Sequence, residues 1–132
     1  MLQRAASTLG DVATVAPDRE QSATSNSLTL HQPLRIRSSQ DKVWVVEGTP
    51  TDCVILAVNS LLKERPDLCV SGVNHGSNMG EDVLYSGTVA AAMEATVAGI
   101  PSVAFSWCGT FPEELQTCEQ LVAQVLGEIL SR

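Results

Sequence analysis

Apolar and polar positions change their spacing in a regular order from residue 49 onward, and this order predicts helices and strands in turn. The continuous apolar runs at 66–74 and 101–107 are typical of strands buried on both faces of a parallel sheet. Residues 86–98 predict a helix that ends at Gly99, and 112–132 place apolar side chains at helical spacing. Strands and helices in alternation are the pattern of βαβ units, so the sequence predicts an α/β fold with a doubly wound, mostly parallel sheet.

The first third of the chain has a different pattern. Residues 1–9 predict a helix, and 11–17 predict a short buried strand. The segments SLTL, PLRIR and KVWVVEG are rich in strand formers and predict a small β-hairpin section, with its turn in SSQD at 38–41. In PLRIR two aliphatic residues, Leu34 and Ile36, alternate with two arginines, which predicts a strand with one wet face.

The helix predicted after residue 48 has clear start signals. Thr49 can cap it, and Pro50 suits the first helical position because no N–H is needed there. Asp52 favours the positive end of the helix dipole. The sequence contains no internal repeat, linker or low-complexity segment, so residues 1–132 predict one α/β domain.

Charge and composition narrow the classes of partner. The 132 residues are 44% hydrophobic and carry a formal net charge of −7, which suits a folded protein and disfavours a groove for nucleic acid. The negative charge does not exclude a small phosphate ester as a ligand, because a bound cation can reverse the local charge. No apolar run reaches membrane-spanning length and no apolar signal core follows Met1, so we expect no membrane partner, no export and a cytoplasmic location.

The four cysteines form no C-x-x-C pair, and Cys53 and Cys69 stand inside apolar stretches. We interpret them as small buried thiols in a reducing compartment. A zinc or redox site is the alternative interpretation.

The stretch NHGSNMGEDVLYSGTV follows one predicted strand and leads into a predicted helix. Asn74 stands just past the strand, where its amide oxygen can ligate a hard cation, and Gly76 lets the backbone approach a ligand without a Cβ atom. Ser86, Gly87 and Thr88 open the helix, and the N–H groups and dipole of a helix start suit a phosphate. The alternative is an ordinary turn asparagine followed by an ordinary N-cap.

A second polar loop, DREQSATSN, follows the first predicted strand. Ser22 in this loop can supply another oxygen to a cation held between two strand ends, and an oxygen-only site favours magnesium, manganese or calcium over zinc. A divalent ion also needs a carboxylate, and the candidates, Asp18, Glu81 and Asp82, are each interpreted more simply as an ion-paired or solvated residue. His75 can transfer protons near neutral pH or can simply be exposed.

Four stretches together resemble the survival protein SurE family, namely VAPDREQSATSNSLTL, EGTPTDCV, PDLCVSGVNHGSNMGEDVLYSGTVAAAMEA and GIPSVAFS. The resemblance implies a Rossmann-like fold and a metal-dependent 5′-nucleotidase, which uses Mg²⁺ or Mn²⁺ and acts on nucleoside monophosphates and other phosphate monoesters. It implies metal ligands at Ser22 and Asn74, and phosphate contacts at Ser86, Gly87 and Thr88. It also implies a homo-oligomer in the full-length family form.

The chain departs from the family pattern at both ends. Family members begin with a strand ending in NDDG, whose aspartates are the remaining metal ligands, and the 132 residues contain no such segment. They also lack the family's C-terminal region. We therefore expect a partial domain that is inactive alone, in which strands 11–17 and 67–73 either sit apart with unpaired inner edges or close up on each other. The alternative is a non-catalytic remnant that binds phosphate or another chain.

Overall fold

The computed structural model describes residues 1–20 and 27–132. Helices and strands follow one another within these ranges in an order that confirms the alternation predicted after residue 49. The elements are α1 (Leu2–Ser7), β1 (Thr14–Pro17), β2 (Ile36–Gln40), β3 (Val43–Val46), α2 (Pro50–Leu56), β4 (Cys69–His75), α3 (Asp82–Tyr85), α4 (Gly87–Val97), β5 (Ser102–Trp107) and α5 (Leu115–Leu130). A π-helical turn, Ala57–Leu61, continues α2.

The described strands form two sheets. In the first sheet β1 runs parallel to β3 and β2 runs antiparallel to it, while in the second β4 runs parallel to β5. Within the described part of the chain, β1 and β4 are not paired with each other, so each has an unpaired inner edge. This is the first of the two arrangements that we expected for these strands.

Helices cover both faces of the β4–β5 sheet, as a doubly wound fold requires. On one face α1 and α5 pack together, and their buried residues Ala5, Cys118, Val122 and Leu126 contact alternate side chains of β5. On the other face Ser102, which lies out of phase with those side chains, donates a 2.6 Å hydrogen bond to the carbonyl oxygen of Ala92 in α4.

Helix α4 connects the two sheets through α2. It packs against β4 and β5 and also against α2, which in turn packs against β1. Four alanines of α4 are buried, namely Ala90, Ala91, Ala92 and Ala95. Side chains this small allow close approach of the neighbouring elements, so the packing of α2 on α4 holds β1 beside β4 without a shared hydrogen-bond ladder.

The start of α2 confirms the predicted cap at Thr49 and adds a second, reciprocal hydrogen bond to it. The Thr49 hydroxyl accepts a 3.1 Å hydrogen bond from the Asp52 N–H, and the Asp52 carboxylate accepts a 2.8 Å bond from the Thr49 N–H. Pro50 occupies the first turn. This reciprocal arrangement satisfies two N–H groups at the helix start, each of which would otherwise be buried without an acceptor.

The hairpin section differs from its prediction in two ways. The SLTL segment (27–30) is not a strand, because Thr29 and Ser27 bond to the start of α2 instead of to a neighbouring strand. The predicted turn residues 38–40 continue β2, and the turn falls at residues 41–42, where Lys42 has a φ of 55°. The aliphatic face is covered only in part, since Leu34 is half-buried and Ile36 is exposed, while the arginine face is wet as predicted.

The thiols agree largely with the prediction of small buried groups. Cys53 and Cys118 are buried, Cys69 is partly buried and Cys108 is exposed, and all four are unpaired. Burial, together with the nearby Asp52 carboxylate, raises the pKa of the Cys53 thiol to about 12, so this thiol is not a nucleophile at neutral pH. In the described ranges no helix is both long enough and apolar enough to span a membrane.

Candidate functional site

A cavity of about 780 Å³ opens where β1 and β4 end and α4 begins. Its volume lies within the range of roughly 300–1,000 Å³ that small-molecule sites occupy. The described lining residues are Pro17, Asp18, Arg19, Glu20, Pro50, Asn74, Ser77, Asn78, Asp82, Tyr85, Ser86, Gly87 and Thr88. The carboxyl ends of parallel strands are where open α/β sheets bind their ligands, so this cavity is the candidate site.

An irregularity in β4 sets the direction of Asn74. Between Ser71 and Asn74 the strand has two residues opposite the single residue Phe105 of β5. Because side chains alternate along a strand, this bulge gives Asn74 the face that position 73 would otherwise take. Gly72 permits the bulge, since its φ is +119° and a Cβ atom there would lie 2.5 Å from the carbonyl oxygen of Phe105.

A local hydrogen bond then orients the Asn74 amide. Its nitrogen Nδ2 donates a 3.0 Å bond to the carbonyl oxygen of Gly76. The amide oxygen is therefore directed away from Gly76, and Asn74 lines the cavity. An amide oxygen held in this way is a suitable ligand for a hard cation.

The start of α4 forms another wall of the cavity. Ser86 caps the helix by accepting a 3.3 Å hydrogen bond from the N–H of Val89. Gly87 and Thr88 are the first two helical residues, so their N–H groups have no acceptor within the helix. Both residues line the cavity beside Asn74, which places two N–H groups without an acceptor in the helix, and the positive end of an 11-residue helix, at the site.

The charged residues that line the cavity are mostly acidic. Asp18, Glu20 and Asp82 are opposed by the single guanidinium of Arg19, which gives these four residues a formal charge of −2. A phosphate dianion would be repelled by such a wall unless a cation were also bound.

The other predicted site residues lie in several places. Ser22 falls outside the described residues. Gly76 lies beside the cavity, and its N–H already donates to the carbonyl oxygen of Trp107, so its direct contact with phosphate stays a prediction.

His75 is exposed, and its ring meets Phe111 edge-on with centroids 5.2 Å apart. Of the two acidic loop residues, Asp82 lines the cavity and Glu81 does not.

The cavity is also lined by three residues for which the sequence predicted no role in the site, namely Ser77, Asn78 and Tyr85. Asn78 donates a 2.6 Å hydrogen bond to the hydroxyl of Ser106, which ties the loop back to β5. Tyr85 is 67% exposed beside the start of α4. The density of Gly, Asn and Ser around position 78 was the available signal, but it marked the whole loop and not its individual members.

The described residues supply only some of the ligands that a divalent cation needs. They contain no group of three His, Cys, Asp or Glu side chains that could hold a metal ion. The Asn74 amide and the Asp18 carboxylate, both on the cavity wall, are oxygen donors of the type that Mg²⁺ and Mn²⁺ accept. These residues fit one side of such a site, and a complete ligand set requires further donors.

The two parallel strand ends, the covering helices and the cavity at a helix start define a Rossmann-like α/β protein. The chain belongs to the survival protein SurE family, since the family's model matches residues 1–132. This confirms the family resemblance of the four sequence stretches.

Three similar proteins illustrate the match. The 5′-nucleotidase SurE of Gemmatimonas aurantiaca is 63% identical over 109 residues, which are 83% of this chain and 43% of that protein. The 5′-nucleotidase SurE of Pelobacter propionicus is 54% identical over 124 residues, or 90% of this chain and 50% of that protein. The crystal structure of the SurE protein from Aquifex aeolicus superposes with a TM-score of 0.83 at 45% identity and covers 96% of this chain and 54% of that one. The chain thus spans about half the length of the relatives that it matches.

Proposed function

We propose that this chain forms the phosphate-binding part, and one side of the metal site, of a phosphomonoesterase that releases phosphate from nucleoside 5′-monophosphates. One observation carries the proposal: the start of α4 and the oriented amide of Asn74 line the same cavity. The names of the relatives, 5′-nucleotidase SurE, support the nucleotide substrate. Residues 1–132 would act as one domain of that enzyme, and the resemblance further predicts a homo-oligomer.

The phosphoryl group would bind at the start of α4. The N–H groups of Gly87 and Thr88 and the hydroxyl groups of Ser86 and Thr88 would donate to its oxygens. The helix dipole adds roughly 0.3–1 kcal/mol at such a position. Since the two N–H groups are fixed by the helix, they are preorganised for a phosphate bound beside Asn74.

The acidic wall supports a requirement for a divalent cation, Mg²⁺ or Mn²⁺. A dianion entering a cavity whose described charges sum to −2 needs a positive charge to offset them. We assign Asn74 and Ser22 as neutral oxygen ligands. When bound, the cation would supply polarisation of the phosphoryl group and an activated water molecule.

The remaining carboxylate ligands would come from an aspartate pair that the 132 residues do not contain. Without this pair a divalent ion is held mainly by neutral groups and pays its desolvation with little Coulomb return. We therefore propose that the chain alone does not hydrolyse phosphate esters. The lack of a three-residue metal cluster among the described residues favours, for the chain alone, the second candidate function, which is weak binding of phosphate without catalysis.

The experiment compares two proteins. The 132-residue chain is assayed for release of phosphate from AMP with Mn²⁺, beside an extended protein that adds an N-terminal strand ending in Asp-Asp and the family's C-terminal region. We expect turnover in the extended protein, abolished by chelator, and none in the short chain. Turnover by the short chain that a chelator abolishes would show that the added aspartates are dispensable, and no turnover by either protein would refute the enzymatic proposal.

A further inference from the structure

Tyr85 is an aromatic residue on the cavity wall with little packed against it. The residue is 67% exposed, so most of the apolar surface that an aromatic ring usually buries is open to solvent. In the described ranges neither a hydrogen bond from its hydroxyl group nor a contact with another ring holds it. Packing within this part of the chain therefore does not account for an aromatic side chain at this position.

The chain itself holds Tyr85 close to the start of α4. Tyr85 ends α3, and the next residue, Ser86, is the N-cap of α4. Three extended residues span no more than about 11 Å, so the Cα atom of Tyr85 lies within that distance of the Cα atom of Thr88. This distance is comparable with the length of a nucleoside monophosphate. A phosphate on the N–H groups of Gly87 and Thr88 therefore leaves the rest of the ester within reach of the tyrosine ring.

The cavity has room for more than a phosphate group. Its volume of about 780 Å³ lies towards the upper end of the range of roughly 300–1,000 Å³ for small-molecule sites. The described lining is polar apart from Tyr85, Gly87 and the two prolines, Pro17 and Pro50. An acyl chain would need a continuous apolar wall, whereas a flat base with polar edges needs one stacking surface among hydrogen-bonding groups.

We propose that Tyr85 is a stacking platform for the nucleobase, so that the site selects nucleoside monophosphates over phosphate esters without a base. The base lies on the ring of Tyr85 while the phosphate lies at the start of α4. Every base has a π-face, so such a platform recognises the presence of a base and not its identity. A neutral base also meets no repulsion from the acidic wall, unlike the phosphate. This assignment rests on the proposed function, which it deepens by naming the residue that recognises the substrate class.

The first measurement uses the extended protein and two substrates, AMP and ribose 5-phosphate, of which only AMP carries a base. The variants are Tyr85→Ala, Tyr85→Phe and, as a matched control, Leu84→Ala. Leu84 is the neighbouring residue, is 62% exposed and is absent from the described lining of the cavity. Tyr85→Phe keeps the stacking ring and removes only the hydroxyl group.

Loss of a stacking ring costs roughly 5- to 150-fold in affinity, so we expect Tyr85→Ala to lower kcat/KM about tenfold or more for AMP and less than about twofold for ribose 5-phosphate. Tyr85→Phe and Leu84→Ala should leave both values nearly unchanged. An equal loss for the two substrates, or no loss for AMP, would overturn the proposal.

The second measurement needs no catalysis. Tyr85 is the only tyrosine among the 132 residues, so isotope-labelled tyrosine gives a single set of ring signals in NMR spectra of the chain. AMP and, separately, ribose 5-phosphate are titrated into the dilute 132-residue chain. We expect AMP to shift the ring protons of Tyr85 upfield, as the ring current of a stacked base does, and ribose 5-phosphate to leave them in place. Ring signals that respond alike to both compounds would overturn the proposal.

These measurements separate the stacking platform from the proposed function. A base-dependent shift of Tyr85 in a protein whose extended form never hydrolyses AMP would retain the base site and reject the enzyme. Hydrolysis of AMP that Tyr85→Ala leaves unchanged would retain the enzyme and reject the platform.

Discussion

Asp52 accepts two hydrogen bonds from Thr29, a residue 23 positions earlier in the chain, at 3.0 Å from the N–H and 2.6 Å from the hydroxyl. The carboxylate is only 3% exposed, and it also accepts from the N–H of Thr49. Because Pro50 at the same helix start lines the cavity, this contact ties the chain from residue 27 onward to the cavity wall.

We expect Asp52→Asn to lower the free energy of unfolding at pH 7 by about 1.5–3 kcal/mol, the range for hydrogen bonds to a charged group. The amide has one acceptor oxygen where the carboxylate has two, so at least one donor is left unpaired. Urea unfolding measures the change. The exposed Asp67→Asn is the control and should stay within about 0.5 kcal/mol of the parent.

The same carboxylate predicts a pH dependence. Burial by itself raises the pKa of Asp52, but the hydrogen bonds from Thr29 and Thr49 outweigh it and hold the pKa below 3.8. The stabilisation is therefore complete above pH 3.8 and is lost as the pH falls through the lower pKa of the folded state. Asp52→Asn should lack this component of acid unfolding, and an identical acid profile in both proteins would contradict the assignment.

Asn74→Ala in the extended protein should raise the concentration of Mg²⁺ or Mn²⁺ that gives half-maximal activity. Loss of a group that only supports a metal ligand typically costs roughly 10- to 100-fold in metal affinity, and we expect at least this effect for a ligand, so activity should partly return at high metal concentration. Metal titration of AMP hydrolysis measures this. Asn59→Ala removes an exposed asparagine whose amide bonds within its own helix, and it should leave the titration unchanged.

Thr88→Val in the same protein should raise KM for AMP about fivefold and leave kcat nearly unchanged, as expected for the loss of one neutral hydrogen bond to substrate. Valine keeps the shape of the side chain. Thr96→Val is a control on the same helix, since the Thr96 hydroxyl bonds to Ala92 and Ser102 away from the cavity. A KM that responds equally to both substitutions would place the phosphate elsewhere.

Gly72→Ala should destabilise the fold by about 2 kcal/mol or more. The added methyl group would lie 2.5 Å from a backbone oxygen, at a φ of +119° that side chains rarely adopt. Gly10→Ala is the matched control, because a Cβ atom there has open space around it. Denaturant unfolding of both variants measures the difference, and similar midpoints would mean that β4 can repack without its bulge.

The isolated chain should associate as its concentration rises and should melt broadly. Its β1 and β4 strands have unpaired inner edges within the described structure, and such edges pair with other chains. Light scattering and thermal unfolding at increasing concentration test this. A sharp cooperative transition from a monomer at all concentrations would contradict it.

Much of the fold could be predicted from the sequence because its signals are local. The cap at Thr49, the strand at Cys69–His75 and the helix start at Ser86 depend on residues within one or two turns of each other. The hairpin was harder to predict, since the pairing register of its two strands depends on which side chains become buried. β2 lies at a sheet edge where all five of its residues are exposed, which no alternation within the strand could reveal.

The candidate site was predicted only in part for the same reason. Asn74 and Ser86 stand at element ends, where the pattern points to them directly. The burial of Asp18 depends on contacts of β1 with β3, and the anchoring of Thr29 depends on Asp52, which lies in another element. Contacts between segments that lie far apart in the chain leave no periodic pattern in a single sequence.

The alanines of α4 have a further consequence for recognition. Asp18 and Asn74 belong to different sheets, and no shared ladder fixes the gap between them. The distance between Asp18 and Asn74 is therefore set by how closely α2 packs on α4. That packing depends on the small side chains of α4, whereas the described lining of the cavity takes only the start of this helix. The width of the cavity is thus a property of helix contacts behind it, so a larger side chain on the α2 side of α4 would widen the cavity without altering any group on its wall.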